Sequence, residues 1–342
     1  MKRVLLILTG GTISMVKHQQ TGALYPADLA TFKTYVPELA TGNIQVDTVS
    51  FDPLIDSSDI SIHDWVKMAQ TVYDNYNDYD GFVILHGTDT MAYSASALSF
   101  MFEDLNKPVI LTGSQLPIGV LRSDARENLL TAIEIAAEQD ADGDALVPEV
   151  CIFFEDKLMR GNRCTKRNAE HFSAFKSYNY PSLAKAGVHI TYNIHLVHYN
   201  DPRATLKLHT RMDCNVAVLK LFPGITKNIV HTFLNAPGLR GIVLETYGAG
   251  NAPSRAWLYE ELKDAISRGI IIVNKTQCLT GSVNMELYEV AQNLVKAGVL
   301  SGRDITTEAL LTKMMLLLGE CEDNNTVIQM LQKNICGEIT ME

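Results

Sequence analysis

RVLLILTGGT, residues 3–12, decides the fold. A strand with one wet face would alternate apolar and polar side chains. This run is solidly apolar and stops abruptly at Thr9-Gly10-Gly11-Thr12. Such runs belong to parallel sheets covered on both faces. Residues 44–51, 80–86 (DGFVILH), 107–112 (KPVILT) and 148–154 (PEVCIFF) read as further strands. Helical patterns lie between them at 62–77, from Asp89 through Met101, and from Ser123, a plausible N-cap, to Glu138. That alternation is βαβ repetition and predicts a doubly wound α/β domain.

Between about 190 and 213 the pattern lapses. TYNIHLVHYNDPRATLKLHTRMD (191–213) is polar and mildly alternating, and is taken as a linker or edge hairpin. Strands then resume at 214–222, 240–246 and 270–275, with helices at 225–235, 254–267, 284–297, 307–319 and 323–334. Two α/β domains follow: 1–190, a 191–213 linker, and 214–342. A chain of 342 residues suits two cores better than one.

Composition narrows the partners. The net charge of −10 and the lack of any basic stripe argue against nucleic acid, since phosphate binding needs clustered cations. No apolar stretch approaches the ~20 residues of a membrane span. MKRVLLIL imitates a secretory signal, but its apolar run falls short of the roughly 7–15 residues required and no A-x-A site follows. Cys151, Cys164, Cys214, Cys278, Cys321 and Cys336 are scattered and form no C-x-x-C. A cytoplasmic setting without disulfides is expected. The histidines form no H-E-x-x-H, and His195-x-x-His198 sits in the presumed linker, so no metal is expected.

In open parallel sheets ligands gather beyond the carboxyl ends of strands. Four polar segments stand there: Thr9-Gly10-Gly11-Thr12, Asp56-Ser57-Ser58-Asp59, His86-Gly87-Thr88-Asp89-Thr90 and Thr112-Gly113-Ser114-Gln115. Each has a plain structural reading beside a functional one. The Gly-Gly pair makes a tight turn, or exposes a Thr12 hydroxyl beside backbone N–H groups suited to an oxyanion. The Asp56–Asp59 run caps the helix carrying Trp65, or binds a small polar ligand. Asp89 or Thr90 caps the next helix and His86 is a satisfied core histidine, or a second hydroxyl stands beside a carboxylate for chemistry. A hydroxyl nucleophile needs a neighbouring base. Lys166, in the RGNRCTKRN stretch, is either that base or a solvated lysine. G-x-G-x-x-G, the Walker loop and G-x-S-x-G are all absent, which disfavours a Rossmann oxidoreductase, a P-loop protein and a serine-elbow hydrolase.

TGGTI (9–13), DSSD (56–59) and HGTDT (86–90) occur together and in order. With DYDGFVILHGTDTMAYSASALSFM (78–101), PVILTGSQLPIGVLRSDARENLL (108–130), RGNRCTKRNAEHFSAF (160–175), YGAGNAP (247–253) and TQCLTGSVNM (276–285), they resemble the bacterial L-asparaginase family, in particular its cytoplasmic type I branch, along essentially the whole chain. The resemblance implies a two-domain asparaginase-like fold with a doubly wound N-domain and a smaller, flavodoxin-like C-domain. It implies hydrolysis of L-asparagine to L-aspartate and ammonia, no cofactor, and a homotetramer built as a dimer of dimers; because one extra methylene costs only ~1–3 kcal/mol in a tight site, weak action on L-glutamine is expected as well.

Residue by residue, Thr12 matches the nucleophilic threonine. Thr88, Asp89 and Lys166 match the second threonine and its relay partners. Tyr25, in GALYPAD, matches the tyrosine of the loop that covers the site. Asp56, Ser57 and Ser58, with Thr88 and Asp89, match the segments that hold substrate. Asn251 resembles a residue that a neighbouring subunit offers. Some cytoplasmic relatives have a second, activating asparagine site lined by an arginine just before the YGxGNAP segment. Glu245 stands there in this chain, so hyperbolic kinetics are expected, although Cys278 does match that region. Rivals are the amidase subunit of transfer-RNA amidation, whose extra N-terminal domain has no room before the first strand here, and a non-catalytic asparagine sensor, which could lose Lys166 and Thr88 without penalty.

Overall fold

The structure, a computed structural model, describes residues 1–17, 24–26, 32, 34–41, 43–285 and 289–341. The chain divides into two units, Met1–Leu208 and His209–Glu342.

In the first unit β1 (Lys2–Gly10), β2 (Ile44–Ile55), β3 (Gly81–Leu85), β4 (Val109–Thr112) and β5 (Val150–Phe154) are parallel, in the spatial order β2-β1-β3-β4-β5. Three antiparallel strands, β6 (Lys157–Arg160), β7 (Ala184–Lys185) and β8 (Thr191–Tyr192), extend the β5 edge. Val4 to Thr9 are all buried, as are β3, β4 and β5 throughout, which is why their sequences do not alternate. Helices α1 (Ile62–Asp74), α2 (Met91–Met101) and α3 (Ala125–Ala137) make the crossovers. Helix α2 buries every residue but Tyr93, so MAYSASALSFM carries no polar face.

The 2-1-3-4-5 order reverses between β1 and β3. A crevice opens at such a reversal, because the connections leaving the two strands run to opposite faces of the sheet. The reversal lies in the larger unit. In the smaller one, β9 (Val216–Lys220), β10 (Gly241–Thr246), β11 (Ile271–Thr276) and β12 (Leu300–Ser301) run parallel in chain order, with no reversal. Helices α4 (Lys227–Leu234), α5 (Ala256–Ser267), α6 (Glu289–Ala297), α7 (Thr307–Glu320) and α8 (Asn324–Gln332) complete that unit.

Several local expectations shift. The first unit runs to Leu208, so most of the stretch read as a linker belongs to it: Thr191–Tyr192 is an edge strand, and Lys207–Leu208 pairs with Phe102–Glu103. Helix α1 is capped by a Ser61/Asp64 capping box rather than by Asp56–Asp59. At α3 the N-cap position falls on Asp124. Its carboxylate accepts from Gln115 N and Leu116 N instead of capping, while Ser123 Oγ accepts from Ala125 N.

The second unit contains a fully buried ion pair. Lys313 Nζ, on α7, donates to Glu338 Oε1 at 2.6 Å and to the carbonyls of Leu331 and Lys333. Glu338 also accepts from Ile335 N and Cys336 N. Removing the carboxylate leaves a buried ammonium with two carbonyls but no counter-charge, which costs about 3–5 kcal/mol. Glu338→Ala is therefore expected to lower the unfolding free energy of the second unit, measured by urea titration, by an amount in that range. A shift below ~1 kcal/mol would mean that water reaches Lys313.

Candidate active site

The loops leaving β1, β2, β3 and β4 meet at the reversal, and glycines let them meet. A Cβ on Gly10 would lie 2.0 Å from Ile55 O, and one on Gly11 would lie 2.4 Å from Gly87 N. One on Gly87 would lie 2.4 Å from Ser57 Oγ, and one on Gly113 would lie 2.5 Å from His86 O. No side chain fits at these four contacts. Gly11 also adopts a φ of 80°, which favours glycine. Thr12 and Thr88 each follow directly on the Gly11–Gly87 contact. Thr12 opens a short 3₁₀ turn, Thr12–Ser14, whose Ser14 Oγ donates back to Gly10 O at 2.9 Å. Thr9 Oγ1 donates to Leu85 O at 2.8 Å and locks the two strand ends together.

Lys166 reaches the same place from another direction. It ends the short strand Cys164–Lys166, paired with Phe175–Ser177, so it stands on a hairpin rather than in the loop expected. Its Nζ donates to Thr88 Oγ1 at 2.8 Å and to Asp89 Oδ1 at 2.6 Å. The lysine side chain is 17% exposed and the aspartate 65%, so the pair spans the boundary between protein and solvent. Neither polar residue before α2 serves as its cap: Asp89 is held by Lys166, and Thr90 Oγ1 donates to Ser57 O at 2.7 Å.

Asp56 folds its own segment. Its Oδ1 accepts from Ser58 N and Ser58 Oγ, both at 2.9 Å, which caps the turn Ser57–Asp59 and lowers the carboxyl pKa. Ser57 is buried against Gly87, whereas Asp56 and Ser58 are exposed. Tyr25 lies in the strand Leu24–Pro26 and pairs through its backbone with Val16, in the hairpin that follows Thr12; its side chain lies outside the described residues. Asn251 belongs to the second unit, at the tight turn where Asn251 N donates to Tyr247 O. Its Oδ1 is buried without a hydrogen-bond partner among the described residues. Thus Thr12, Thr88, Asp89, Lys166, Asp56, Ser57 and Ser58 surround one reversal point in the first unit, and Asn251 stands apart from them in sequence and unit.

Gln115 carries more than its sequence suggested. Gln115 Oε1 stands 3.5 Å from Thr88 Oγ1, and its amide donates to His171 O at 3.1 Å, bridging the β4 loop to the Lys166 hairpin. The loop is pinned beneath by Asp124 and by buried Asn128, whose Nδ2 donates to Gly113 O at 2.9 Å. The signal available was the position of Gln115 at a strand end, without a motif to assign it. His86 is the satisfied core histidine of the plainer reading. Burial pushes its imidazole down to about 4.

That shift has a stability consequence. Above pH 6.5, the ordinary value, His86 is neutral folded or unfolded. As pH falls from 6.5 toward 4, the unfolded chain takes up a proton that the folded chain refuses. Stability is therefore complete above 6.5 and declines by about 3 kcal/mol across that window. Melting temperature measured between pH 7 and 4.5 should fall, and His86→Asn should flatten the slope. An unchanged slope would show that His86 does not set it.

Among the described residues no three His, Cys, Asp or Glu side chains are grouped to hold a metal ion, and no helix is long and apolar enough to cross a membrane.

A sheet reversal whose loops present two threonines, a lysine–aspartate pair and bare backbone defines an α/β protein built to seat a small polar ligand. The family follows from direct comparison. The family model "Asparaginase, N-terminal" matches residues 3–198, and "Glutaminase/Asparaginase C-terminal domain" matches residues 215–331. The chain is 42% identical to L-asparaginase 1 of Escherichia coli (strain K12), over 99% of this chain and 98% of that one. It is also 42% identical to the 60 kDa lysophospholipase of Mus musculus, over 99% of this chain and 63% of that protein. The crystal structure of L-asparaginase I from Vibrio cholerae superposes with a TM-score of 0.89 at 41% identity, covering 99% of both chains. The chain belongs to the asparaginase family.

Proposed function

We propose that this protein hydrolyses L-asparagine to L-aspartate and ammonia, with Thr12 as nucleophile and Thr88, Lys166 and Asp89 as the proton relay. The observation that carries the reading is Lys166 Nζ, within hydrogen-bond reach of both Thr88 Oγ1 and Asp89 Oδ1, beside the Gly11–Gly87 contact that brings Thr12 near. A hydroxyl needs such a partner to attack or to activate water near neutral pH.

Thr12 Oγ bonds to the carboxamide carbon and gives up its proton toward Tyr25. The carbonyl π electrons move to oxygen, where the backbone N–H groups beside Gly11 and Thr88 hold the oxyanion. The oxyanion re-forms the carbonyl as the C–N bond breaks, nitrogen takes the proton that Thr12 gave up toward Tyr25, and ammonia leaves. Water then bonds to the acyl carbon and passes its proton into the Thr88–Lys166–Asp89 set. The Oγ–C bond breaks, Thr12 regains a proton, and aspartate is released. Asp56, Ser57 and Ser58 hold the α-amino and α-carboxylate groups, together with Asp89. Glutamine is one methylene longer, which a tight pocket rejects by only ~1–3 kcal/mol, so a slow glutaminase activity belongs to the proposal.

The cytoplasmic setting and the homotetramer are part of the same reading. Asn251, whose Oδ1 has no hydrogen-bond partner among the described residues, is the residue offered to a neighbouring copy's site. Ammonia release measured with asparagine and glutamine, alongside light scattering, tests all of this. Faster turnover of asparagine and a mass of four subunits are expected. No ammonia from either amide would overturn the reading of the site, and a monomer would overturn the shared one.

Asparagine saturation should be hyperbolic. Glu245 is already engaged: its Oε1 accepts from Thr307 Oγ1 at 2.8 Å, and Lys220 Nζ lies 3.8 Å from its Oε2. A substrate α-carboxylate would meet like charge there. Initial rates should fit a Hill coefficient of one, and a value clearly above one would count against the argument.

A further inference from the structure

Burying a histidine at the end of a central strand calls for an explanation, because Phe or Leu would fill the space without polar groups to satisfy. Both ring nitrogens of His86 are engaged. Nδ1 lies 2.6 Å from Gly87 O, and Nε2 lies 2.8 Å from Ser94 Oγ on α2. Trp65 Nε1 on α1 donates to the same Ser94 Oγ at 2.8 Å. Trp65, Ser94 and His86 are all buried.

The direction of this chain is unique. A carbonyl only accepts, so Nδ1 carries the proton. Burial keeps the ring neutral, so Nε2 is bare and accepts the Ser94 hydroxyl proton. Ser94 Oγ in turn accepts from the indole. Three elements thus feed one line of hydrogen bonds that ends on the carbonyl of a site loop rather than in the core.

That carbonyl belongs to the Gly87–Thr88 peptide. In a trans peptide the carbonyl and the N–H point in opposite directions. Holding Gly87 O inward therefore turns Thr88 N–H outward, away from the imidazole. Among the described residues Thr88 N–H has no acceptor within the chain. Glycine at 87 leaves the peptide free to rotate unless something grips it, and the close approach to Gly11 and Ser57 prevents a side chain from doing so.

We propose that His86 is a positioning residue: the Trp65–Ser94–His86 line grips the Gly87 carbonyl and so aims Thr88 N–H as an oxyanion donor. This rests on the amide-hydrolysis reading above. The role is felt where negative charge develops on oxygen, and little in ground-state binding.

Asparagine and glutamine side chains separate the two nitrogens. The amide nitrogen of His86→Asn takes the place of Nδ1 and keeps the grip. That of His86→Gln takes the place of Nε2 and loses it, as does His86→Leu. For Gln and Leu, kcat should fall about 10- to 100-fold with KM within about threefold. His86→Asn should stay within about fivefold of the parent. Ser94→Ala, which leaves the imidazole in place but unsupported, should fall between. Affinity for the aldehyde analogue of asparagine, across whose carbonyl the Thr12 hydroxyl adds to give a tetrahedral hemiacetal with its hydroxyl oxygen in the oxyanion position, should drop in parallel with kcat/KM. The dissociation constant for aspartate should not move.

Equal losses in Asn and Leu variants, or losses in KM and aspartate affinity alone, would overturn the proposal. Nitrogen-15 spectra of the imidazole read the line without turnover: a neutral ring protonated at Nδ1 at pH 6 is expected, and protonation at Nε2 would overturn it. A parent protein inactive on asparagine, yet with the Nδ1 tautomer in place, would refute the substrate assignment and leave the hydrogen-bond line standing.

Discussion

Thr12→Ala should reduce kcat on asparagine by about 10⁴-fold or more while leaving the protein folded. Losses of this size follow when the atom that forms the covalent bond is removed and only binding and oxyanion stabilisation remain. Folding should survive, because Thr12 is only partly buried and the turn it opens is secured by Ser14 Oγ on Gly10 O. Aspartate should still bind, since its α-groups are assigned to Asp56–Ser58 and Asp89. Single-turnover kinetics sharpen the result: no acyl-enzyme should accumulate with hydroxylamine as trap, whereas the parent should give the hydroxamate. A variant retaining a tenth of the parent rate would remove Thr12 from the chemistry.

Lys166→Met is the second large effect. It deletes the donor on Thr88 Oγ1 and the partner of Asp89 together. Proton-transfer groups contribute typically 10²–10⁴-fold, and kcat should fall by about 10³-fold, with KM changing far less. The contrast with Lys313 is instructive. Asp89 is 65% exposed, so once unpaired it is hydrated, and melting temperature should move only a few degrees. At Glu338 there is no water to take over, and the penalty appears as lost stability. Lys166→Arg should not rescue: the guanidinium spreads its donors in a planar fork and cannot point one compact group at both oxygens. Near-normal activity in either variant would dissolve the relay.

Much of the fold was legible because buried parallel strands write themselves as unbroken apolar runs. Residues 3–9, 80–86, 107–112 and 148–154 declared β1, β3, β4 and β5 in that way. The partly exposed β2 was found but cut short: it continues past 51 to Ile55, through a stretch with Asp52 and Pro53 that reads as a turn. The edge strand near 184 was missed because a two-residue strand has no period to detect, whereas the edge-hairpin alternative for 191–213 holds at Thr191–Tyr192.

At the site, Thr12, Thr88 and Asp89 were marked by residues that a turn does not need. Lys166 was a candidate base that only the resemblance lifted above a solvated lysine, because its contact with Thr88 spans 78 positions of chain. Capping was misjudged at α1 and α2. Asp56 caps the short turn Ser57–Asp59 and leaves α1 to Ser61, and Thr90, at the N-cap position of α2, spends its hydroxyl on Ser57 O. A polar residue that looks local in a sequence can serve a distant loop.

The four bare contacts at Gly10, Gly11, Gly87 and Gly113 bear on how this protein can change over generations. At Gly10, Gly11 and Gly113 main chain rests directly on main chain, and at Gly87 it rests on the Ser57 side chain, so any replacement arrives as a collision. A change of amide specificity must therefore work from the rim, through residues such as Gln115 and Ser58, because the frame that aligns the two threonines has no room for a side chain.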